Sequence, residues 1–584
     1  MRFSFSRWST ALRVAVSTAV PLLIGWAAGD VGAGLIATLG AFTADYGTDR
    51  PYRNRGAQLG IIAVGLAAAV TVGAWAATAI WAAVLAVSAI AVLAVWLCSA
   101  LAVGPPGAYM FVLVCAAGVG ISESHRPPWQ IGLLVLAGGV IAWFSQMSAA
   151  LTGPRQPEKA AVAAAGEAVA GYLDNAAGGP PAVARQTAAL ALTRAWTVLV
   201  EYQPRAAARG PLHQLREANH ALHVLFADAL NARGQGRPIP DDRAATARAI
   251  GTLDLAPGVI ANRDPNRPPL RRPPALSLLT RAIRPGAHTR RVMWRVGVAA
   301  PVAGAVAGTL GIGHVYWAMA AAVLVLHQGT HRLATLRRGA DRVLGTMVGL
   351  GLAAAILGLH PQGLWLVLVV AALQFVIELF VVTHYALATV FITAMALTIA
   401  SGGGRTDIGE LVIDRGVDTA IGCGIGLVVY LLAVRRQEAH RIGEALVAML
   451  GRTITATGFL ARGDAASLAS RAARRDLQNS VFDVVAAEDA ARNGSRRDRA
   501  AAARLAPTVA AAEHLGYATV TACWAAEQRT DELFGSADPA AYLALLQAIS
   551  DSIRGLTAPT ITGELPPFAA AEVRLLIRAL EERR

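Results

Sequence analysis

Arg13-Val14-Ala15-Val16 opens an apolar run, and 282 positions later (13 to 295) Arg295-Val296-Gly297-Val298 opens another. Gly47-Thr48-Asp49-Arg50 recurs at the same offset (47 to 329) as Gly329-Thr330-His331-Arg332. Further on the register drifts by one or two, so that Arg55-Gly56-Ala57 meets Arg338-Gly339-Ala340 and Val64-Gly65-Leu66 meets Val348-Gly349-Leu350. Two matches in one register, across nearly half the chain, predict a duplicated unit. Duplicated membrane bundles keep their substrate path near the pseudo-symmetry axis between the halves.

The residues around these matches point to a bilayer as the solvent. Of 584 positions 55% are hydrophobic and 15% charged, and the mean hydropathy is +0.47, too apolar for a soluble chain of this size. Long uncharged runs fill residues 10–152 and 291–434, while 154–290 and 435–584 hold most of the arginines. We expect an all-α membrane protein of two parallel six-helix transmembrane repeats, about twelve spans, with helical cytoplasmic domains. The expected segments are 1–153 (first repeat), 154–290 (helical domain and Pro-rich linker), 291–434 (second repeat) and 435–584 (C-terminal helical domain).

A helix needs about 20 apolar residues to cross the hydrocarbon core. Such runs lie near 11–28, 32–46, 57–76, 79–102, 107–121 and 130–150, then 292–311, 315–328, 341–358, 363–382, 384–400 and 411–434. The second and fifth of each block are short, which predicts tilted, broken or bundle-interior helices. An even number per block gives both blocks one orientation. Arg2, Arg7, Arg50, Arg53, Arg55, Arg332, Arg337, Arg338, Arg435, Arg436 and Arg441 then share one side, leaving little beyond Arg126 and Arg405 opposite. Positive charge marks the cytoplasm, so the N-terminus and both soluble segments are expected there, and the first run reads as a retained helix.

The formal charge of +14 does not indicate nucleic acid, because no aromatic-interleaved basic stripe, zinc pattern or helix-turn-helix accompanies it. Near the membrane, the basic surplus of residues 154–290 fits anionic lipid headgroups. Four cysteines, three of them in apolar runs, imply no disulfide framework. No phosphate loop occurs. His213, His220 and His223 share one helix face with only Glu217 as a nearby acid, too few convergent ligands for a metal. Neither a metal, another cofactor nor enzymatic chemistry is expected.

Several polar residues inside the apolar blocks are candidates for function. Arg342, Gly345 and Gly349 are spaced i, i+3, i+7, as are Arg415, Asp418 and Gly422, so each set lies along one helix face. The glycines suit close backbone approach. An ionised group within a span costs roughly 2.5–3.5 kcal/mol, which predicts that Arg415 and Asp418 pair; structural neutralisation and a direct part in transport both remain open. Glu378 is the most isolated acid and a candidate proton carrier. Asp45 and His327 hold equivalent places (45 to 327) and are either a protonation-sensitive pair or two helix-end residues. Arg50 with Arg332, and Arg55 with Arg337 or Arg338, would ring the cytoplasmic mouth and gather organic anions; the topology signal alone also accounts for them.

The series Tyr316-Trp317, Arg342-x-x-Gly345-Thr346-x-x-Gly349, Tyr385-Ala386 with Phe391-Ile392-Thr393, and Arg415-x-x-Asp418-Thr419-x-x-Gly422 resembles the fusaric acid resistance protein (FUSC) family. These are aromatic acid exporter-like integral membrane proteins of bacteria. The chain departs from the pattern at His384, where Asn or Arg is expected. The resemblance implies a multi-pass protein of the bacterial plasma (inner) membrane that exports small, often aromatic, carboxylates. It also implies a distant likeness to plant aluminium-activated malate channels, in which two six-helix units surround an arginine-lined path. Partners are then the lipid bilayer and a small organic anion, with homo-oligomers as one option. A proton-coupled exporter, an anion channel and a non-transporting scaffold all stay open.

Overall fold

The computed structural model describes residues 8–121, 126–174, 181–203, 210–234, 236–254, 270, 272–311, 314–327, 332–401, 408–433, 438–527, 533–555 and 559–582, and among them there is no strand. In chain order the helices are α1 (Trp8–Ala27), α2 (Val31–Thr38), α3 (Tyr52–Ala76), α4 (Ile80–Ala100), α5 (Tyr109–Ile121), α6 (Pro128–Met147), α7 (Ala149–Thr152), α8 (Gln156–Asp174), α9 (Pro181–Trp196), α10 (Pro211–Gly234) and α11 (Arg243–Thr252). After these come α12 (Ala275–Ala282), α13 (His288–Thr309), α14 (Val315–Leu326), α15 (Arg332–Gly358), α16 (Leu364–Phe380), α17 (Tyr385–Ala400) and α18 (Ile408–Ala433). The chain finishes with α19 (Glu438–Ala461), α20 (Leu468–Arg492), α21 (Arg496–Ala526), α22 (Pro539–Ile553) and α23 (Ala570–Glu581).

The chain divides into two compact units, one of residues 1–154 with 273–435, the other of residues 155–272 with 436–584. In the first, every apolar run read from the sequence coincides with a helix. A chain in hydrocarbon must satisfy its own backbone polar groups, and the α-helix does so within one segment. Among the described residues seven helices are long and apolar enough to cross a membrane, and five apolar ones are shorter. The short ones take two of the expected forms. The run at 32–46 is broken, α2 giving way to a 3-10 turn over Leu39–Asp45. In α14 every residue from Ala318 to Leu326 is buried, so that helix has no lipid-facing side.

Within this unit α3 packs on α5 and α6, α15 on α17 and α18, α1 on α16, and α4 on α13. Two crossings depend on glycine. A Cβ on Gly138 of α6 would overlap the carbonyl of Ala37, and one on Gly422 of α18 would overlap that of Ala318; small residues of this kind let helix backbones meet. Pro21 lies inside α1 and Pro301 inside α13. Large apolar side chains such as Ile61, Leu85, Leu344 and Leu368 are exposed along the outside, as a lipid-facing surface requires.

The second unit has one core, to which both of its chain segments, 155–272 and 436–584, contribute. Val162, Leu192 and Leu222 from the first segment share a cluster with Leu446, Leu477, Leu515 and Leu546 from the second. Arg185 on α9 reaches Glu513 on α21 at 3.0 Å, and the buried pair Arg474–Glu527 closes at 2.7 Å. His220 and His223 pack against Trp524 in tilted geometry, with ring centroids 5.1 and 4.8 Å away, while Arg474 covers that ring at 3.6 Å. The stretch 255–269, which holds most of the Pro-rich linker, lies outside the described residues. The helix after it, α12, packs on α4 and α13 in the first unit.

Candidate anion site

Arg415 stands in the second turn of α18 and Arg342 in the third turn of α15, and both are buried. Their helices pack together, which brings the two guanidinium groups close enough to repel each other. Arg415 lies flat over the Trp317 ring, with Cζ 3.7 Å from the centroid. The Tyr385 side chain at the start of α17 lies within electrostatic reach of Arg342. Tyr109, the first residue of α5, lies within electrostatic reach of Arg342, Arg415 and Tyr385, and Tyr316 lies within reach of Arg415. Two buried cations thus have aromatic residues from both apolar blocks in their neighbourhood.

The expected Arg415–Asp418 pair does not form a hydrogen bond. Asp418 is fully buried and neither of its carboxylate oxygens has a partner, while Nε and Nη1 of Arg415 are also unpartnered. The cause is the cation–π contact, which draws the guanidinium toward α14 instead of along its own helix. Buried polar atoms without partners cost about 1–3 kcal/mol each, so their retention in the fold calls for an explanation.

The motif glycines and threonines set the helix spacing around this site. Added Cβ atoms on Gly345 and Gly349 would press on Thr389 and Thr393 of α17. Thr346 and Thr393 face each other at 3.5 Å, and the Thr419 hydroxyl caps the Arg415 carbonyl at 2.8 Å.

The remaining candidates lie elsewhere. Asp45 has Glu378 as its neighbour, the two carboxyl groups lying within electrostatic reach of each other. His327 instead stacks on Tyr109 at 5.8 Å and turns Nδ1 to the Leu324 carbonyl at 3.0 Å. Arg55 is buried and donates to Gln146 at 2.6 Å. Arg50 reaches the Ala102 carbonyl at 2.7 Å, and Arg337 is largely exposed beside Asp341. The Arg332 side chain lies outside the described residues, as do Gly329-Thr330-His331. Tyr109 was not among the sequence candidates. Its signal is positional, since it opens the short fifth helix of its block as Tyr385 does in the other.

Residues 302–429, from within α13 to near the end of α18, match the model of the family described as fusaric acid resistance protein-like. Over those residues the chain is similar to fusaric acid resistance-like proteins. Arg342, Arg415, Asp418, Trp317, Tyr385 and Glu378 all lie in that stretch, whereas Tyr109 and Asp45 lie before it. Over 474 residues the chain is 27% identical to the uncharacterized membrane protein YvaC of Bacillus subtilis (strain 168), covering 75% of this chain and 74% of that protein. No solved structure matches the chain.

Proposed function

We propose that the protein is an inner-membrane transporter that exports small organic anions, aromatic carboxylates foremost, through a duplicated bundle of twelve spans with its soluble unit in the cytoplasm. The observation that carries this reading is the buried Arg342–Arg415 pair among Trp317, Tyr109 and Tyr385. Guanidinium forks recognise a carboxylate, and the rings suit an aromatic body. Binding and conformational change suffice for this task, with no covalent step.

The duplication is supported by three corresponding features: Pro21 with Pro301, the Gly138 crossing with the Gly422 crossing, and the packing of α1 on α16 with that of α4 on α13. Tryptophans support the alternating course of the helices. Trp26 at the end of α1, Trp75 at the end of α3, and Trp81, Trp129 and Trp365 at the starts of α4, α6 and α16 are all exposed. If successive helices alternate in direction, all five fall on one face of the membrane, and the exposed Trp8 and Trp294 fall on the other. Interfacial belts of this kind are where tryptophan concentrates.

Energetics make export feasible. A monovalent anion leaving an inside-negative cell gains about 2.3 kcal/mol per 100 mV, roughly a 50-fold gradient. The neighbouring carboxyl groups of Asp45 and Glu378 add a proton carrier to this reading, because two carboxylates side by side repel each other and a shared proton relieves that repulsion. Purified protein in liposomes, loaded with an aromatic carboxylate and subjected to an imposed proton gradient, tests the proposal. Efflux should follow the gradient in the wild type and lose that dependence in Glu378→Gln. Conduction insensitive to both the gradient and the substitution would identify an anion channel. Background rates for every acid would leave only a scaffold.

A further inference from the structure

We propose that α12 and the start of α13 form a docking surface for anionic phospholipid. The argument starts from sequence. Between Asp264 and Asp341 the chain has no acidic residue, yet residues 271–295 carry seven arginines: Arg271, Arg272, Arg281, Arg284, Arg290, Arg291 and Arg295. Such a run is a one-sign field whose complement must come from outside the segment.

The structure adds an apolar half. α12 is short and its first turn begins after Pro274, which fixes where it starts. It packs on α4 and α13, and Trp96 of α4 donates to the Leu279 carbonyl at 3.2 Å, holding the helix beside the end of a membrane-crossing helix. Ala282 is buried beneath it. Leu276 and Ile283, seven residues apart and hence on one face, are 73% and 46% exposed, and Trp294 one helix further is 67% exposed. Arg281, Arg284 and Arg290 are exposed too. A short helix at the end of a spanning helix, with an uncovered apolar face and an adjoining cluster of arginines, matches the surface of a charged leaflet. Leu276, Ile283 and Trp294 enter the acyl region while the arginines meet phosphate.

The occupant is a phospholipid with a net negative headgroup, because the exposed Arg281, Arg284 and Arg290 lie in a segment without acidic residues and a zwitterionic headgroup would bring no net charge to meet them. Each arginine near an anionic surface strengthens attachment several-fold, so removing three should weaken it on the order of 100-fold. The surface does not depend on transport, and its test does not measure flux.

The full-length protein, delipidated in mild detergent, is titrated with phosphatidylglycerol or phosphatidylcholine, and bound lipid is counted by native mass spectrometry alongside the apparent Tm. The wild type should retain phosphatidylglycerol preferentially and melt higher with it. Arg281→Gln/Arg284→Gln/Arg290→Gln should lose that preference while binding phosphatidylcholine as before. Leu276→Ser/Ile283→Ser should weaken both lipids. All five positions are exposed, so the folded unit should tolerate the changes, and the Tm without added lipid checks this. Equal retention of the two lipids by the wild type, an undiminished phosphatidylglycerol preference in the triple variant, or displacement of the lipid by inorganic phosphate would each overturn the inference.

Discussion

Replacing Arg415 and Asp418 together, as Arg415→Met/Asp418→Leu, separates a structural role from a transport role. Both side chains are buried, at 4% and 0% exposure, and between them four polar atoms have no hydrogen-bond partner. Charges held this way do not recover their desolvation, so exchanging such a pair for apolar groups of similar volume is neutral or stabilising by about 1–4 kcal/mol. The contact of Arg415 with Trp317 at 3.7 Å opposes this by about 2 kcal/mol once desolvated. The net expectation runs from a loss of about 2 kcal/mol to a gain of about 2 kcal/mol. Transport should behave oppositely, because truncating one partner of a buried charged contact costs roughly 2–5 kcal/mol in affinity, about 30-fold to several thousand-fold. The assay pairs thermal unfolding in detergent with efflux of an aromatic carboxylate from liposomes, normalised to folded protein. A marked loss of stability with flux retained would refute the reasoning and assign the two residues to the frame.

Two further substitutions probe the scaffold by the same pairing of measurements. Gly422→Val drives a branched side chain into the Ala318 carbonyl; overpacking typically costs 1–3 kcal/mol, and more is expected here because the obstacle is backbone, so the apparent Tm should fall, whereas Gly424→Val, where a Cβ meets nothing, should leave it unchanged. Arg474→Met removes the cation paired at 2.7 Å with the buried Glu527 side chain, with an expected loss of about 3–5 kcal/mol read by hydrogen exchange in α20 and α21 of the full chain, and Arg474→Met/Glu527→Leu should recover most of it.

The helices of the membrane unit were legible because bilayer thickness and hydropathy act locally, and a run such as 79–102 has little choice of structure. Partnerships between side chains were less so. The i, i+3 spacing of Arg415 and Asp418 suggested a pair, but a long arginine on a helix can satisfy itself on a neighbouring helix, and Trp317 is a competitor that spacing cannot reveal. Asp45 neighbours Glu378 for the same reason: they are 333 positions apart (45 to 378), joined only by how the two blocks pack. The common core of segments 155–272 and 436–584 was hidden similarly. Each reads as an amphipathic bundle, and an apolar helix face does not specify which chain segment covers it. His220 and His223 illustrate this, since the Trp524 that they pack against arrives from α21.

On the proposed duplication, what the two blocks share and what they do not can be sorted by role. The prolines inside α1 and α13 and the glycines at 138 and 422 occur in both, and each serves helix shape or contact. The charged site occurs in one. In the register that matches Arg55 with Arg338, the counterpart of Arg342 is Leu59, and in the register that matches Gly138 with Gly422, the counterpart of Arg415 is Ile131. Leu59 and Ile131 are both completely buried and apolar. The first block therefore shows that the frame packs without a cation at either position, so helix packing alone does not account for the arginines of the second. A symmetric ring of arginines, as read from Arg50 and Arg332, also satisfies the topology signal and carries little information about cargo. The asymmetric pair does carry it, because charge retained in only one copy of a duplicated frame, at a cost in desolvation, needs a role that the frame itself does not supply.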